Sequence, residues 1–274
     1  MHFLALLLVC LLMLCTPLRR ALPLDIPQLW VAFAERRIAH RPLVGLALLL
    51  VPLLPVALLQ AWLVTQGWGF LTLLFYVLVL LACMGRSDPL GRMTERFEAA
   101  LARGDVEAAA LVAEHEQGVL GGDSADVLAA MRAVLVREIL HGYVVTVFWF
   151  VLLGPVGALG YRLLRLRLAQ DAPAGEPVTA LAHALEWLPA RLLAASFALV
   201  GHFDHVRQVL ADALLSWDVS ADDLVARTAE AALTGGEGRL ADEADSGALA
   251  DTRTLLKRAL LAWAVALALL AVLG

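Results

Sequence analysis

Residues 45–84 read GLALLLVPLLPVALLQAWLVTQGWGFLTLLFYVLVLLACM, and this stretch decides the fold class. It consists of two long apolar runs that are separated only by Thr65–Gly67. About 20 apolar residues cross the hydrocarbon core of a bilayer, and a helix satisfies its own backbone hydrogen bonds there. The stretch therefore predicts a transmembrane helical hairpin over 45–64 and 67–84.

The composition of the whole chain agrees with this reading. The 274 residues are 61% hydrophobic and 17% charged, with a mean hydropathy of +0.79. Soluble domains are about 45–50% apolar and about 25% charged. The net charge of −5 provides no basic field for nucleic acid. We therefore predict an all-α, polytopic helical membrane protein whose main partner is the lipid bilayer, with no nucleic-acid partner.

Further apolar runs extend the prediction of membrane helices. Residues 1–17 predict an uncleaved N-terminal membrane helix, and a cleaved signal peptide is the alternative. A third long run covers 143–164, and a C-terminal helix covers 257–274. Arginines flank the hairpin on both sides, so the positive-inside tendency predicts that segments 18–44 and 85–142 are cytoplasmic.

The arginines at 162, 165 and 167 conflict with a full span over 143–164, because a full span would bring them to the outer side. A second, more polar run over 178–203 restores the topology if it returns through the membrane. Alternatively, both runs are re-entrant, or 178–203 is an amphipathic helix that lies on the membrane surface. The Pro and Gly residues within them predict that the two runs form a broken core pair.

Two polar insertions complete the chain. Residues 85–142 predict a small cytoplasmic helical insertion, in which Asp88–Pro89 begins one helix and Gly104–Asp105 ends one and caps the next. Residues 204–256 predict a second helical polar segment. The cysteines and histidines have no metal-ligand spacing, so no metal site is expected.

Ionisable residues in or beside apolar runs are candidates for function. Those singled out as ligand-binding residues are Glu138, His141, Arg162, Glu186 and Arg191. The expected structural motif around them consists of Gly154, Pro155, Gly157, Tyr161, Trp187 and Pro189. We expect the five ionisable residues to converge on one polar pocket, in which Glu138 pairs with Arg162 or Arg191. The alternatives are salt bridges that only lock the bundle and a pocket for a ligand.

Glu186 and Arg191 are five positions apart, so they occupy different faces of a helix. Each is therefore predicted to pair with a different segment. Small glycines permit close helix approach, and Pro155 frees a backbone carbonyl beside the pocket.

The chain resembles the AmpE family. The residues that carry the resemblance are Glu138-x-x-His141-Gly142, Phe148-Trp149-Phe150, the run Leu153–Arg162, the run Leu185–Leu192 and Phe197–His202. The resemblance implies a multi-pass protein of the bacterial inner membrane that is linked to β-lactamase induction and is encoded beside a muropeptide amidase. It therefore implies a regulatory protein with a small anionic ligand or a muropeptide-pathway partner.

The AmpE family is in turn similar to the CobD/CbiB membrane enzymes of cobalamin synthesis, which form an amide bond at the expense of ATP. Glu138 and Pro189-Ala190-Arg191 match their pattern, and Arg162 stands where they have Lys. His141 and Glu186 depart from it, and Asp25-Ile26-Pro27 does not replace their N-terminal Gly-Asp-Pro motif. We therefore expect regulation, with no cofactor. The alternative is an enzyme of the cobinamide-phosphate synthase type, for which ATP is implied by this similarity alone.

Overall fold

Every regular element among the described residues of the computed structural model is helical. The structure describes residues 4–9, 25–38, 50–84, 88–119, 124–170, 175–233 and 248–273. After a helical segment at 4–9, the α-helices are α1 Ile26–Ile38, α2 Leu53–Thr65, α3 Gly69–Cys83, α4 Glu95–Ala102, α5 Val106–Gln117, α6 Ser124–Ile139, α7 Val145–Leu153, α8 Pro155–Leu168, α9 Glu176–Val200, α10 Phe203–Ala213, α11 Ala221–Leu233 and α12 Ala248–Leu273. The prediction of an all-α fold is confirmed for these residues.

The chain divides into two units. Unit 1 comprises residues 1–86 and 143–186, and unit 2 comprises residues 87–142 and 187–274. Each unit therefore combines segments that are far apart in the sequence, and helix α9 contributes to both.

In unit 1, helices α2 and α3 are joined by the short turn that the sequence suggested. Gly67 adopts a left-handed backbone conformation with φ 69°. The rings of Trp62 and Trp68 meet edge to face at 5.3 Å on either side of the turn. Residues 45–49 and 10–17 of the predicted membrane helices lie outside the described residues.

The run over 143–164 is divided by a sharp turn at Gly154, where α7 ends and α8 begins. Gly154 has φ 69° and ψ −153°, a conformation that is accessible essentially only to glycine. Pro155 occupies the first turn of α8, where its missing N–H costs no helical hydrogen bond. A Cβ atom on Gly157 would lie only 2.5 Å from the carbonyl oxygen of Trp149, so α8 folds back closely against α7.

The core of unit 1 forms around this helical pair. Phe150 of α7 meets Tyr76 of α3 edge to face at 5.9 Å, and both side chains are buried. Further along α8, Leu163 packs with Val31 of α1. The α7–α8 pair is therefore held by the hairpin on one side and by α1 on the other.

In unit 2, the polar insertion is helical as predicted, through α4, α5 and α6. The side chain of Asp105 accepts a hydrogen bond of 3.0 Å from the Ala108 N–H and caps α5, and Gly104 before it has φ 74°. The predicted helix start at Asp88–Pro89 is wrong. The Asp88 carbonyl accepts from the backbone N–H groups of Gly91 and Met93 in a turn, and α4 begins only at Glu95.

Two helical runs among the described residues are long and apolar enough to cross a membrane, namely Ala125–Leu153 and Leu249–Ala271. The first consists of α6, a π-helical turn at Leu140–Val144 and α7. Helices α2 and α3 are apolar but shorter, with 13 and 15 residues.

Candidate functional site

Unit 1 contains a group of charged and polar side chains that we call the Arg162 cluster, comprising Asp25, Tyr161, Arg162, Arg165 and Glu186. Helix α8 supplies three of them within little more than one turn. The residue before α1 supplies Asp25, and the portion of α9 in unit 1 supplies Glu186.

Asp25 and Arg162 form the first half of the cluster. Nη2 of Arg162 lies 3.2 Å from Oδ2 of Asp25, and the two side chains are 19% and 7% exposed. The other carboxylate oxygen of Asp25 accepts a hydrogen bond of 3.2 Å from the Gln28 N–H in the first turn of α1. Asp25 therefore caps α1 and at the same time ties it to α8.

Glu186 organises the second half of the cluster. Its Oε1 accepts a hydrogen bond of 2.9 Å from the hydroxyl of Tyr161 and lies 3.3 Å from Nη1 of Arg165. Tyr161 and Arg165 are four residues apart, so they project from the same face of α8. Arg162 projects from a different face of that helix, which explains why it reaches Asp25.

Nε of Arg162 is buried and has no hydrogen-bond partner among the described residues. A buried donor on a charged group is costly to leave unpaired. The guanidinium therefore retains one inward-facing donor that an anionic oxygen atom would satisfy, while Nη2 holds Asp25.

One of the predicted structural motif residues, Pro189, accounts for a hydrogen bond in unit 1. Pro189 lies inside α9 and has no N–H to donate to the carbonyl of Leu185. The indole Nε1 of Trp149 donates to that carbonyl instead, over 3.1 Å. Together with the turn at Gly154, this hydrogen bond fixes α7 beside α9 in unit 1.

In unit 2, Arg191 binds backbone carbonyls at the end of α10. It donates from Nε to the Leu214 carbonyl over 2.7 Å and also to the carbonyls of Ala213 and Ser216. Its guanidinium carbon lies 4.0 Å from the centre of the Trp187 ring, and Nη1 donates to the Trp187 carbonyl. The last carbonyls of a helix have no intrahelical partner. Arg191 supplies donors to the carbonyls of Leu214 and Ser216 and shares the Ala213 carbonyl with the Ser216 N–H.

His141 occupies the π-helical turn at Leu140–Val144, an irregularity that is common at functional sites. Its Nε2 lies 2.6 Å from Oδ1 of Asp222 in the first turn of α11. This pair is ionic only when the imidazole is protonated. Glu138 lies one turn before, at the end of α6, and is half-buried.

The structure distributes the five predicted site residues over both units. Arg162 and Glu186 belong to the Arg162 cluster, whereas Glu138, His141 and Arg191 belong to unit 2. Their convergence on one pocket stays a prediction.

The prediction that Glu186 and Arg191 pair with different segments is confirmed: Glu186 contacts α8, and Arg191 contacts the end of α10. The pairing of Glu138 with Arg162 or Arg191 stays a prediction. Arg162 takes Asp25 as its carboxylate partner, and the hydrogen bonds of Arg191 go to carbonyl oxygens.

Sequence reasoning missed three residues that complete these contacts, namely Asp25, Arg165 and Asp222. Asp25 had a local signal, because it stands before the helix-starting Ile26-Pro27 pair and an acidic residue there is a good cap. Arg165 had the four-residue spacing from Tyr161. Asp222 had no signal that separated it from the other acidic residues at the start of α11.

The comparisons with known proteins give one family. A protein-family model described as "Regulatory signalling modulator protein AmpE" matches residues 5–274. No curated protein and no solved structure matches the chain. The match to the family model includes both units and every residue of the Arg162 cluster.

Proposed function

The chain belongs to the AmpE family of regulatory signalling modulators, and we propose that it is a multi-pass inner-membrane protein that regulates β-lactamase induction in step with cell-wall recycling. We further propose that the Arg162 cluster binds a small anionic ligand. The observation that carries the ligand proposal is the buried Nε of Arg162, which has no partner in the part of the chain that the structure describes, beside the ion pair with Asp25.

The hairpin of α2 and α3 supports the membrane location. Both helices are predominantly apolar and contain no charged residue, and several of their leucine side chains are exposed. Trp62 and Trp68 flank the turn, and tryptophan is enriched where a membrane helix meets the headgroup region. We infer that the turn faces the outer side and that the ends of the hairpin face the cytoplasm.

The fold-back at Gly154 supports a re-entrant α7–α8 pair. The 11 residues from Tyr143 to Leu153 extend about 16 Å as a helix, which is roughly half of the 30 Å hydrocarbon core. Phe150 contacts Tyr76 in the middle of α3, whereas Gly160 approaches Leu53 at the first residue of α2. In this topology α7 enters from the cytoplasmic side, reverses at mid-depth and returns through α8.

A re-entrant pair removes the conflict over the three arginines of α8. They return to the cytoplasmic side, which is the side that the positive-inside tendency favours. The contact of Arg162 with Asp25 agrees, because Asp25 belongs to the segment 18–44 that is independently predicted to be cytoplasmic. The ligand would therefore reach the cluster from the cytoplasm.

The proposed regulatory step is competition between the ligand and Asp25 for Arg162. A carboxylate or phosphate group matches the planar, multiply donating guanidinium better than a neutral group does. Two oxygens of such a ligand would engage Nε and Nη2 together and displace Oδ2 of Asp25. Helix α1 would then lose its ionic tie to α8 and keep only its apolar packing, and the changed position of α1 would carry the signal.

The test is ligand-dependent thermal unfolding of the purified full-length protein in detergent. The probes are a muramyl peptide, which carries carboxylates, inorganic phosphate and, as a neutral control, N-acetylglucosamine. We expect the muramyl peptide to raise the Tm of the wild type and of Arg227→Gln, an exposed control in α11, but not that of Arg162→Gln. An equal increase for Arg162→Gln would contradict the assignment of the site.

The same assay separates the regulatory proposal from the synthase-type alternative. A cobinamide-phosphate synthase binds ATP and a corrinoid, so these two compounds are added as further probes. A stabilisation by ATP and corrinoid, with none by the muramyl peptide, would overturn the regulatory proposal in favour of the enzyme.

A further inference from the structure

Unit 2 carries a patch of exposed apolar side chains at the end of α10. Leu215 and Trp217 in the loop after this helix are 84% and 55% exposed, and Leu214 is also exposed. Leu188 and Leu192 of α9 are also exposed. The ring of Trp187, next to Leu188, stacks on that of Trp217 at a centroid distance of 6.1 Å.

Several backbone groups of this loop are hydrogen-bonded from within the protein. Arg191 donates hydrogen bonds to the carbonyls of Leu214 and Ser216. The N–H of Leu214 donates to the Leu210 carbonyl over 2.7 Å, and the N–H of Ser216 donates to the Ala213 carbonyl over 3.3 Å. An irregular loop that is exposed to water needs no such arrangement, because water serves its polar groups. A loop that contacts lipid does need it.

Helix α9, which carries Trp187 and Arg191, also contacts a helix that is long and apolar enough to cross a membrane. Nε1 of Trp263 in α12 donates to Oγ of Ser196 in α9 over 2.9 Å. Beyond this contact, α12 exposes Leu261 and Val265, and α9 exposes Leu199. The apolar face of α9 therefore lies beside a helix for which lipid is the expected surrounding.

We propose that the loop Leu214–Trp217 dips into the bilayer and that Leu215 and Trp217 anchor it among lipid chains at the interface. The buried Arg191 supports the loop, because it donates hydrogen bonds to backbone carbonyls that would otherwise face lipid without a partner. Tryptophan suits this depth, since its ring is apolar and its N–H can reach the headgroups.

The neighbouring charges limit the depth of insertion. Asp218 directly follows Trp217 and is exposed, and Asp212 is exposed on the last turn of α10. Arg207 and Gln208 are also exposed, so the outer face of α10 is polar. Only the apolar tip enters the bilayer, and α10 remains in water.

The experiment measures the depth of spin labels on the full-length protein in vesicles of phosphatidylethanolamine and phosphatidylglycerol. The three native cysteines are replaced, and single cysteines are introduced as Leu215→Cys, Gln208→Cys and Leu269→Cys. Accessibility to oxygen, which concentrates in lipid, is compared with accessibility to a water-soluble nickel chelate. We expect the label at 215 to be accessible to oxygen and shielded from nickel, and the matched label at 208 to show the reverse.

The dipping loop rests on the proposed membrane location. The label at 269 in α12 tests that location independently of the loop. If 269 is in lipid while 215 is as accessible to nickel as 208, the dipping loop is wrong and the membrane location stands. If 215 is shielded from both reagents, protein rather than lipid covers the patch and the proposal is also overturned. If 215 and 269 are both open to nickel, the membrane location fails as well.

A second variant tests the role of Arg191. In Leu215→Cys, Arg191→Lys keeps the positive charge but cannot serve several carbonyls with one rigid planar group. We expect the label at 215 to become several-fold more accessible to nickel, because the freed carbonyls take water as their partner. An unchanged accessibility would contradict the role given to Arg191.

Discussion

Arg162 and Asp25 are joined across 3.2 Å although 137 residues separate them in the chain. This ion pair ties the start of α1 to α8 and defines the position of the Arg162 cluster. It also combines two properties that bear on function: Asp25 is the cap of a helix, and Nε of Arg162 is a donor with no partner within the described ranges.

Exchanging the two charges tests whether the ion pair of Asp25 and Arg162 stabilises the fold. Arg162→Asp places two acids together, so we expect a loss of about 2–4 kcal/mol in the free energy of unfolding, near the range for breaking a buried pair. The double variant Asp25→Arg, Arg162→Asp restores opposite charges and should recover part of this loss. Thermal unfolding in detergent, followed by circular dichroism, measures both. A double variant no more stable than the single one would count against the pair.

Glu186 accepts a hydrogen bond from the Tyr161 hydroxyl and forms an ion pair with Arg165. Substitutions can therefore test the contribution of its charge separately from that of its hydrogen bond. Glu186→Gln keeps an acceptor for the Tyr161 hydroxyl, and Glu186→Ala removes both contacts from a buried position. We expect Glu186→Ala to cost about 2–4 kcal/mol and Glu186→Gln to cost less. The control Glu176→Ala alters an exposed acid at the start of the same helix and should change stability by no more than about 0.5 kcal/mol. Equal losses at 176 and 186 would show that the buried contacts do not matter.

Arg191→Ala should destabilise the protein because it strands carbonyl groups at the end of α10. An acceptor left without its donor costs about 1–3 kcal/mol, so a total loss on the order of 1–3 kcal/mol is expected for these partly buried carbonyls. Arg227→Ala, at an exposed position in α11, should remain within about 0.5 kcal/mol of the wild type. Chemical unfolding of the two variants side by side gives the comparison. If Arg191→Ala proved as stable as Arg227→Ala, the carbonyl contacts would be energetically irrelevant.

Three glycines of the α7–α8 pair make a graded test of the fold-back. At Gly154 alanine would be strained by the backbone conformation, at a cost of about 1–3 kcal/mol. At Gly157 the new Cβ would collide with the Trp149 carbonyl, at a similar cost. At Gly160 the nearest atom is 3.5 Å away, so alanine should be neutral or should stabilise the helix by about 0.5–1 kcal/mol. Melting temperatures that do not follow this order would refute the close packing.

Local features of the fold could be predicted from the sequence, because they depend on neighbouring residues. The turn at Gly67 and the cap at Asp105 follow from the breaks between apolar runs. The break at Gly154–Pro155 was also visible, since glycine followed by proline suits the end of one helix and the start of the next. Asp88–Pro89 has a similar signal but forms a turn, so a capping pair does not guarantee a helix.

The partners of the charged residues could not be predicted in the same way. The guanidinium donors of Arg162 and Arg191 need hydrogen-bond acceptors where they are removed from water. This requirement does not determine whether the acceptor is a carboxylate or a set of carbonyl oxygens. The sequence offered Glu138 as an acid for either arginine. The partners that the structure gives come from elsewhere: Asp25, from the distant segment before α1, for Arg162, and the end of α10 for Arg191. These choices depend on helix packing, which no local pattern encodes.

The most direct test of the central claim is β-lactamase induction by a β-lactam in cells whose own copy of the gene is replaced by variants of this chain. We predict that Arg162→Gln alters the induction response several-fold while its amount in the membrane stays equal to that of the wild type, and that Arg227→Gln responds as the wild type does. An Arg162→Gln protein that is present at the normal level and induces normally would contradict the account.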